Sequence, residues 1–307
     1  MTSVIFNLLV KIFILTIFGF ICKKTGIISD TVQSGINSLL IKAILPVTIL
    51  MSSQNVYSTE LAGNMLVAFL LVSVYYIMAL VISSTFGRLL KLGKNKQSVF
   101  VTMITFANVG FIGFPISLEL YGTEGVLYTV VYNMVYQLLF YTYGVALLGG
   151  DKSQMKPLVL LKTPVTLASF TCVLIFLLQI KFPECIAAPL QTIGSMTTPL
   201  SLMLVGCSLC DAKLGELITD KYSYIVSAMR MLVLPAVMLA ILMLLKLPPV
   251  LSGTCAVLTA LPAGSLNVIY AQDYHCEPEF ASRTVIQTMV VMIVTLPLMI
   301  YMINYLL

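Results

Sequence analysis

Charge is scarce in this sequence. Of its 307 residues only 9% are Asp, Glu, Lys or Arg, whereas a soluble domain has roughly 25%. The chain has no Trp and a single His, while hydrophobic residues make up 59%. Nucleic-acid binding needs a dense basic face, which 17 Lys and Arg spread over this length do not supply. The composition therefore predicts a polytopic membrane protein and excludes a nucleic-acid partner.

The sequence also has little that would hold a cofactor. Its seven cysteines are an odd number, and nearly all lie in or beside apolar runs, so no disulfide framework is predicted. Cys207 and Cys210 have the spacing of a redox or metal pair, but no second pair or His lies nearby, and we expect them to pack as small hydrophobic residues. The run from Gly87 to Lys94 does not match a phosphate-binding loop. We predict no cofactor and no ATP-driven transport.

Long apolar runs dominate what is present. A bilayer core about 30 Å thick needs about 20 helical residues per crossing. Ten runs bounded by charges, Gly or Pro approach this length, and we number them spans 1 to 10: 3–22, 32–53, 61–86, 97–121, 125–148, 163–180, 186–209, 222–245, 250–271 and 284–306. The sequence therefore predicts an all-α membrane protein with ten transmembrane helices.

Lys and Arg are distributed unevenly between the loops. One set of alternate loops holds twelve of them, whereas the other set holds only Lys181 and Lys246. Because cytoplasmic loops retain Lys and Arg, the richer set is predicted to be cytoplasmic. With ten spans, both termini then lie on the extracytoplasmic side of the cell membrane. Three further cations, Lys11, Lys42 and Arg230, fall inside spans.

The two halves of the chain resemble each other. Residues 45–51 match residues 198–204, with their prolines 153 positions apart, and spans 4 and 9 each carry Gly, Pro and Asn in the middle. These matches predict two five-helix repeats, 1–150 and 158–307. Because five is odd, the second repeat must enter the membrane from the opposite face, as in many secondary transporters.

The middles of spans 4 and 9 are the candidate binding site. Pro removes a backbone donor and Gly loosens a helix, so backbone groups there need partners other than lipid. If both helices break near mid-membrane in opposite orientations, they cross and present half-helix ends to a ligand. The candidate substrate-binding residues in these two spans are Asn108, Gly110, Gly113, Pro115, Pro262, Ser265 and Asn267.

The charges inside the spans favour an anionic substrate. No Asp or Glu is predicted at mid-membrane, where a cation carrier needs negative charge. Lys42, Arg230 and the half-helix N-termini instead suit a carboxylate, and we include both cations among the candidate substrate-binding residues. Arg230 could alternatively brace a neighbouring carbonyl. We expect Lys11 to snorkel toward the interface or to pack within a scaffold.

Two other classes of function are weighed. An intramembrane enzyme is not supported, because the single His275 lies in a polar loop with Glu277 and Glu279 rather than beside a nucleophile. The prediction is therefore that the chain is no enzyme. An anion channel stays open as an alternative, since broken helices also line pores. Facilitated diffusion, proton symport and exchange stay open as modes of coupling.

Several motifs resemble the auxin efflux carrier family, which includes plant PIN-formed carriers and bacterial permeases for malate or malonate. They are residues 108–115 with Leu120, Tyr121 and Gly122, residues 199–209, Arg230 with Pro235, and residues 261–267. The resemblance implies a transport domain of spans 3–5 and 8–10, and a scaffold of spans 1, 2, 6 and 7 that forms a homodimer. It also implies elevator-type alternating access and a small organic anion, such as a carboxylate or dicarboxylate, as substrate.

Overall fold

The computed structural model describes residues 2–150, 162–210 and 220–306, and these ranges are helical apart from short connections. The α-helices are α1 Thr2–Lys24, α2 Asp30–Leu39, α3 Leu45–Ser52, α4 Thr59–Leu89, α5 Lys94–Thr105, α6 Phe114–Leu139, α7 Val145–Gly149, α8 Pro164–Leu177, α9 Glu184–Ser195, α10 Thr197–Cys210, α11 Lys221–Ala228, α12 Leu234–Leu245, α13 Pro249–Thr259, α14 Ser265–Asp273 and α15 Pro278–Leu306. Within the described ranges, π-helical segments lie at Leu40–Ile44, Val109–Gly113, Phe140–Gly144 and Met229–Val233.

Proline accounts for three of the π-helical segments. These segments end two residues before Pro46, Pro115 and Pro235. A proline ring clashes with the carbonyl four residues earlier and donates no N–H, so the preceding turn widens from the α to the π hydrogen-bond pattern. In α6 the break has another cause: Gly122 adopts φ 63° and ψ −156°, which separates the helix of span 4 from that of span 5.

Within the described ranges, five helical stretches are long and apolar enough to cross a membrane. They are Asp30–Ser52, Thr59–Leu89, Glu184–Cys210, Lys221–Leu245 and Pro278–Leu306. These stretches coincide with predicted spans 2, 3, 7, 8 and 10. The all-α, multi-pass character of the chain is thereby confirmed. The other predicted spans coincide with α1 and with shorter or interrupted helices, so the count of ten crossings stays a prediction.

The chain forms two compact units. The first unit takes the described parts of 1–68, 110–134 and 161–212, and the second takes those of 69–109, 135–160 and 213–307. The first unit thus contains spans 1, 2, 6 and 7 together with the start of span 3 and residues 110–134. The assignment of scaffold and transport roles, and of the two repeats, stays a prediction.

In the first unit α1 packs directly against α10 through glycine. A Cβ atom on Gly19 would lie 2.1 Å from the carbonyl oxygen of Met203, and one on Gly206 would lie 1.9 Å from that of Thr16. The thiol of buried Cys207 donates to the Gly19 carbonyl oxygen, with an Sγ–oxygen distance of 3.4 Å. Small residues therefore let two helical backbones touch, which is the usual means of helix association in membranes.

In the second unit an aromatic cluster surrounds Phe106, the residue that follows α5. Its ring lies 5.9 Å from that of Tyr76, 5.7 Å from Tyr136 and 5.2 Å from Phe140, measured between centroids. Phe140 in turn contacts Tyr270 at 5.5 Å. T-shaped and stacked ring pairs at these distances are favourable beyond their buried area. The cluster fixes the position at which α5 ends.

Candidate substrate site

Two helices of the second unit stop inside it and continue as extended chain. α5 ends at Thr105 and α13 at Thr259, and Ala107 and Ala263 then form an antiparallel bridge. We call residues 106–108 and 261–264 the paired segments. The Asn108 N–H donates to the Pro262 carbonyl at 2.9 Å, and the Gly264 N–H donates to the Phe106 carbonyl at 2.9 Å. The interruptions predicted from Gly, Pro and Asn in spans 4 and 9 are therefore present, and they lie side by side.

Glycine is required at one point of the paired segments. A Cβ atom on Gly264 would lie 2.8 Å from the carbonyl oxygen of Ala107. The neighbouring Ala263 N–H is bonded to the Thr288 hydroxyl, which accepts at 3.1 Å. Thr288 is a residue of the junction that sequence reasoning missed, because nothing in the pattern of α15 shows which of its residues faces α13.

Asn267 ties the start of α14 to both segments. Its side chain is fully buried, and its Nδ2 donates to the Phe106 carbonyl at 3.1 Å and to the Gly264 carbonyl at 2.9 Å. Its Oδ1 has no hydrogen-bond partner within the described residues. Asn108, 4% exposed, donates from Nδ2 to the Ser265 hydroxyl at 3.4 Å. The second unit thus brings together the predicted site residues Asn108, Pro262, Ser265 and Asn267.

Arg230 also lies in this site, fully buried. Its Nε donates to the Leu261 carbonyl at 3.0 Å, and its Nη1 donates to the carbonyls of Ile104 at 2.6 Å and Thr105 at 3.0 Å. Only its Nη2 has no partner within the described part of the chain. The guanidinium therefore binds carbonyls at the end of α5 and just after α13, which is the bracing alternative considered for this residue.

The charge of Arg230 is balanced by the helices it joins. The C-terminus of a helix carries a partial charge of roughly −0.5, so two such ends offset about one positive charge. The start of α14 has the opposite polarity, and no side chain caps its first turn. An N-terminus of this kind attracts anions. The positive end of the site is therefore the first turn of α14, beside Ser265.

The other predicted site residues belong to the first unit. Gly110 and Gly113 lie in the π-helix before Pro115, and a Cβ atom on Gly110 would meet nothing within 4 Å. The Pro115 carbonyl accepts from the Thr198 hydroxyl at 3.4 Å. Lys42 is exposed on the π-helix Leu40–Ile44. Phe111 packs against the cluster formed by Leu40, Ile44 and Leu204, so the segments that carry Gly110 and Lys42 contribute to the same part of the core.

Lys11 has a partner that the sequence did not identify. Its Nζ lies 2.7 Å from Oε1 of Glu119, whose side chain is 22% exposed. The Glu119 carboxylate compensates the charge of Lys11, and this ion pair was not predicted from the sequence. The two residues are 108 positions apart, so sequence spacing gave no signal of their contact. Within the described ranges, no group of three or more His, Cys, Asp or Glu residues could hold a metal ion.

Helices that stop inside an apolar protein, with their free backbone groups bound by buried polar side chains, are a feature of membrane transporters. A model of the family described as membrane transport protein matches residues 4–158 and 152–300. The chain therefore belongs to this family, the auxin efflux carrier family. Because the match comes in two halves, it suggests an internal repeat.

Two archaeal relatives match most of the chain. An uncharacterized transporter of Methanocaldococcus jannaschii is 23% identical over 289 residues, which cover 90% of this chain and 92% of the relative. An uncharacterized transporter of Methanothermobacter thermautotrophicus is 23% identical over 296 residues, which cover 94% and 95%. These matches confirm the predicted resemblance and the prediction of a transporter rather than an enzyme.

Proposed function

We propose that this membrane transporter is a secondary carrier for a small organic anion such as a carboxylate or dicarboxylate. The proposal includes ten spans in two inverted repeats, with interrupted spans 4 and 9 crossing at the paired segments. The observation that carries it is the bridge between Ala107 and Ala263, next to the uncapped start of α14. Interrupted helices that meet in this way form the substrate sites of many secondary transporters.

The first turn of α14 is the proposed position of the substrate carboxylate. The helix N-terminus supplies N–H groups and positive polarity, and the half-buried Ser265 hydroxyl and the Asn108 amide supply further donors. A carboxylate accepts several such bonds at once, and hydrogen bonds to a charged group are stronger than neutral ones. We assign no metal or cofactor to this binding step.

Arg230 is assigned a positioning role in this proposal. Because its Nε and Nη1 are bound to three carbonyls, it holds the ends of α5 and α13 in register with α14 rather than carrying the anion. Lys42, Gly110, Gly113 and Pro115 lie in the first unit, and their predicted role in substrate binding stays a prediction.

The proposed carrier works by elevator-type alternating access, as a homodimer with both termini on the extracytoplasmic side. An anion channel is the second candidate, because interrupted helices also line pores. Proteoliposomes distinguish the two, since a carrier shows saturable uptake and counterflow of labelled dicarboxylate, whereas a channel shows single-channel current that rises in proportion to voltage.

Substitutions on α14 and in the paired segments test the site. In the same proteoliposomes, we expect Asn108→Ala and Ser265→Ala each to lower dicarboxylate uptake at least tenfold, because each removes one donor to the anion. A tenfold loss equals about 1.4 kcal/mol, the size of one hydrogen bond to a charged group. Neither change removes the backbone bonds of Asn108 or Gly264. Asn304→Ala, at an exposed position of α15, is the control and keeps normal uptake. Normal uptake by both site variants contradicts the proposed site.

A further inference from the structure

A cavity with both polar and apolar lining residues lies in the second unit, at the opposite end of α5 from the paired segments. Its volume is about 220 Å³. The polar side chains that line it come from the end of α4, the start of α5 and the π-helix Phe140–Gly144. They are Ser84, Arg88, Lys94, Gln97, Ser98 and Tyr143.

α4 and α5 come into close contact beside this cavity. A Cβ atom on Gly87 would lie 3.0 Å from Cγ of Gln97, so the absence of a side chain lets the two helices converge. The short connection between them includes Lys91 in a left-handed conformation, with φ 53°. The turn brings Arg88, near the last residue of α4, to the same cavity as Lys94, the first residue of α5.

The cavity is basic and its charge is not compensated by described residues. Neither Arg88 nor Lys94 takes part in an ion pair within the described ranges, and no described Asp or Glu lines the cavity. Gln97, Tyr143 and the Ser84 hydroxyl add neutral donors, whereas the Ser98 hydroxyl donates to the Lys94 carbonyl at 3.1 Å. Arg presents a planar fork that matches phosphate oxygens, and Lys adds a point charge. This donor set suits a phosphate group.

An exposed apolar face of α4 ends at this cavity. Leu70, Val74, Ile77 and Val81 are between 57% and 60% exposed, and their spacing of three or four residues places them on one helix face. Ser84 and Arg88 continue the same spacing, so an apolar ridge on a membrane helix ends at a basic pocket. An amphiphile with a phosphate head fits both parts.

We propose that this pocket binds the phosphodiester headgroup of an anionic phospholipid, with one acyl chain along the α4 ridge. Basic pockets between transmembrane helices are known to take anionic headgroups. Free phosphate shares the headgroup chemistry but lacks the chain, so the two sources can be told apart. This proposal does not depend on the identity of the transported substrate.

The test uses the purified full chain in detergent with three probes: short-chain phosphatidylglycerol, phosphatidylcholine of the same chain length, and inorganic phosphate. Binding is measured by native mass spectrometry and by the thermal unfolding temperature. We expect phosphatidylglycerol to bind at least tenfold more tightly than phosphatidylcholine, and inorganic phosphate to give no stabilisation at the same concentration. Equal binding of the two lipids overturns the proposal, as does equal stabilisation by inorganic phosphate alone.

Variants locate the binding within the molecule. Arg88→Gln combined with Lys94→Gln should abolish the preference for phosphatidylglycerol, because the two charges that face the cavity are lost. The control combines Lys24→Gln with Lys91→Gln, which removes two exposed lysines outside the cavity lining, and should keep the preference. Val81→Ser should weaken the binding of both lipids equally, because it changes the apolar ridge that the acyl chain contacts and leaves the charges of the pocket in place. If the double variant cannot be purified folded, Lys94→Gln and Val81→Ser are measured singly. An unchanged preference in a folded Arg88 and Lys94 variant overturns the proposal.

Discussion

The two units solve the same packing problem in different ways. In the first, α1 and α10 touch because Gly19 and Gly206 have no side chains, and both helices run past the contact without a break. In the second, α5 and α13 stop, and Arg230 and Asn267 bind carbonyls that the ended helices leave without an intrahelical donor. Backbones in a membrane protein can therefore approach either by removing side chains or by replacing helical hydrogen bonds.

The two solutions place different demands on the sequence. The glycine contact depends on size alone and tolerates no added atom. The carbonyls at the ends of α5 and after α13 depend instead on Arg230, whose loss removes the donor bound to each of them. A buried carbonyl without a donor costs about 1–3 kcal/mol. Substitutions that add volume should therefore damage the first unit most, and substitutions that remove donors should damage the second.

Gly206→Ala is expected to give the largest effect. Its Cβ atom would lie 1.9 Å from the Thr16 carbonyl oxygen, so α1 and α10 must separate along their contact. We expect the free energy of unfolding to fall by about 3 kcal/mol. A control is Gly63→Ala in α4, where the added Cβ meets nothing within 4 Å. Thermal unfolding in detergent measures both, and equal unfolding temperatures for the two variants would contradict the tight contact.

Arg230→Gln is expected to have the next largest effect, about 2–3 kcal/mol of stability, because a shorter neutral amide cannot reach three carbonyls. Arg230→Lys should recover part of it, since the charge is kept. Lys42→Gln is the matched control for stability without substrate: it also removes a cation from a π-helix that precedes Leu-Pro, but at an exposed position.

The readout for these variants is the thermal unfolding temperature without substrate, together with the further shift on adding dicarboxylate. A positioning role predicts that Arg230→Gln unfolds at a lower temperature even without substrate. An Arg230→Gln protein with unchanged stability and no substrate shift would instead make Arg230 a direct ligand of the anion.

The smallest effect on stability is expected from breaking an ion pair at the other end of α5. There Lys96 Nζ lies 2.6 Å from Oδ2 of Asp220. Burial raises the pKa of Asp220, but the hydrogen bonds from Lys96 and from the Tyr222 N–H, with the charges of Lys96 and Arg283, outweigh it and leave the pKa below its ordinary value. The ion pair therefore adds stability at pH values above the ordinary pKa of about 3.9, and this is lost as pH falls through the lowered pKa.

Asp220→Asn should lower stability by about 1 kcal/mol at pH 7 and by progressively less below about pH 4. The corresponding pair in the first unit, Lys23 with Asp30, has a carboxylate that is 96% exposed, so Asp30→Asn should change stability by less than about 0.5 kcal/mol. Unfolding temperatures of both variants from pH 7 to pH 3.5 provide the comparison. A constant difference between Asp220→Asn and the unsubstituted chain at all pH values would show that the pair contributes nothing through charge.

The sequence alone identified much of this arrangement because some residues act through the backbone. Pro and Gly clustered with Asn in spans 4 and 9 marked the two interruptions, since Pro cannot donate a hydrogen bond and Gly allows close approach. The matching prolines in the two halves gave the repeat that the family match suggests. These signals are local, and a single sequence displays them.

What the sequence could not reveal were contacts between distant residues. Arg230 lies 126 positions from Ile104, and nothing in the sequence of span 8 shows that its guanidinium meets backbone carbonyls rather than an anion. The same holds for Lys11 with Glu119. The sequence showed that Arg230 and Lys11 lie inside spans, but the groups they contact depend on how the helices pack.

The Arg230 contacts also have a mechanical consequence. Because one guanidinium holds the end of α5 and the segment after α13, sliding one past the other would strip at least one buried carbonyl of its donor. At about 2 kcal/mol, such a state would be populated roughly thirtyfold less than the joined one. The two helix ends are therefore expected to move together as one rigid element. A conformational change during transport would need its hinge residues elsewhere in the chain.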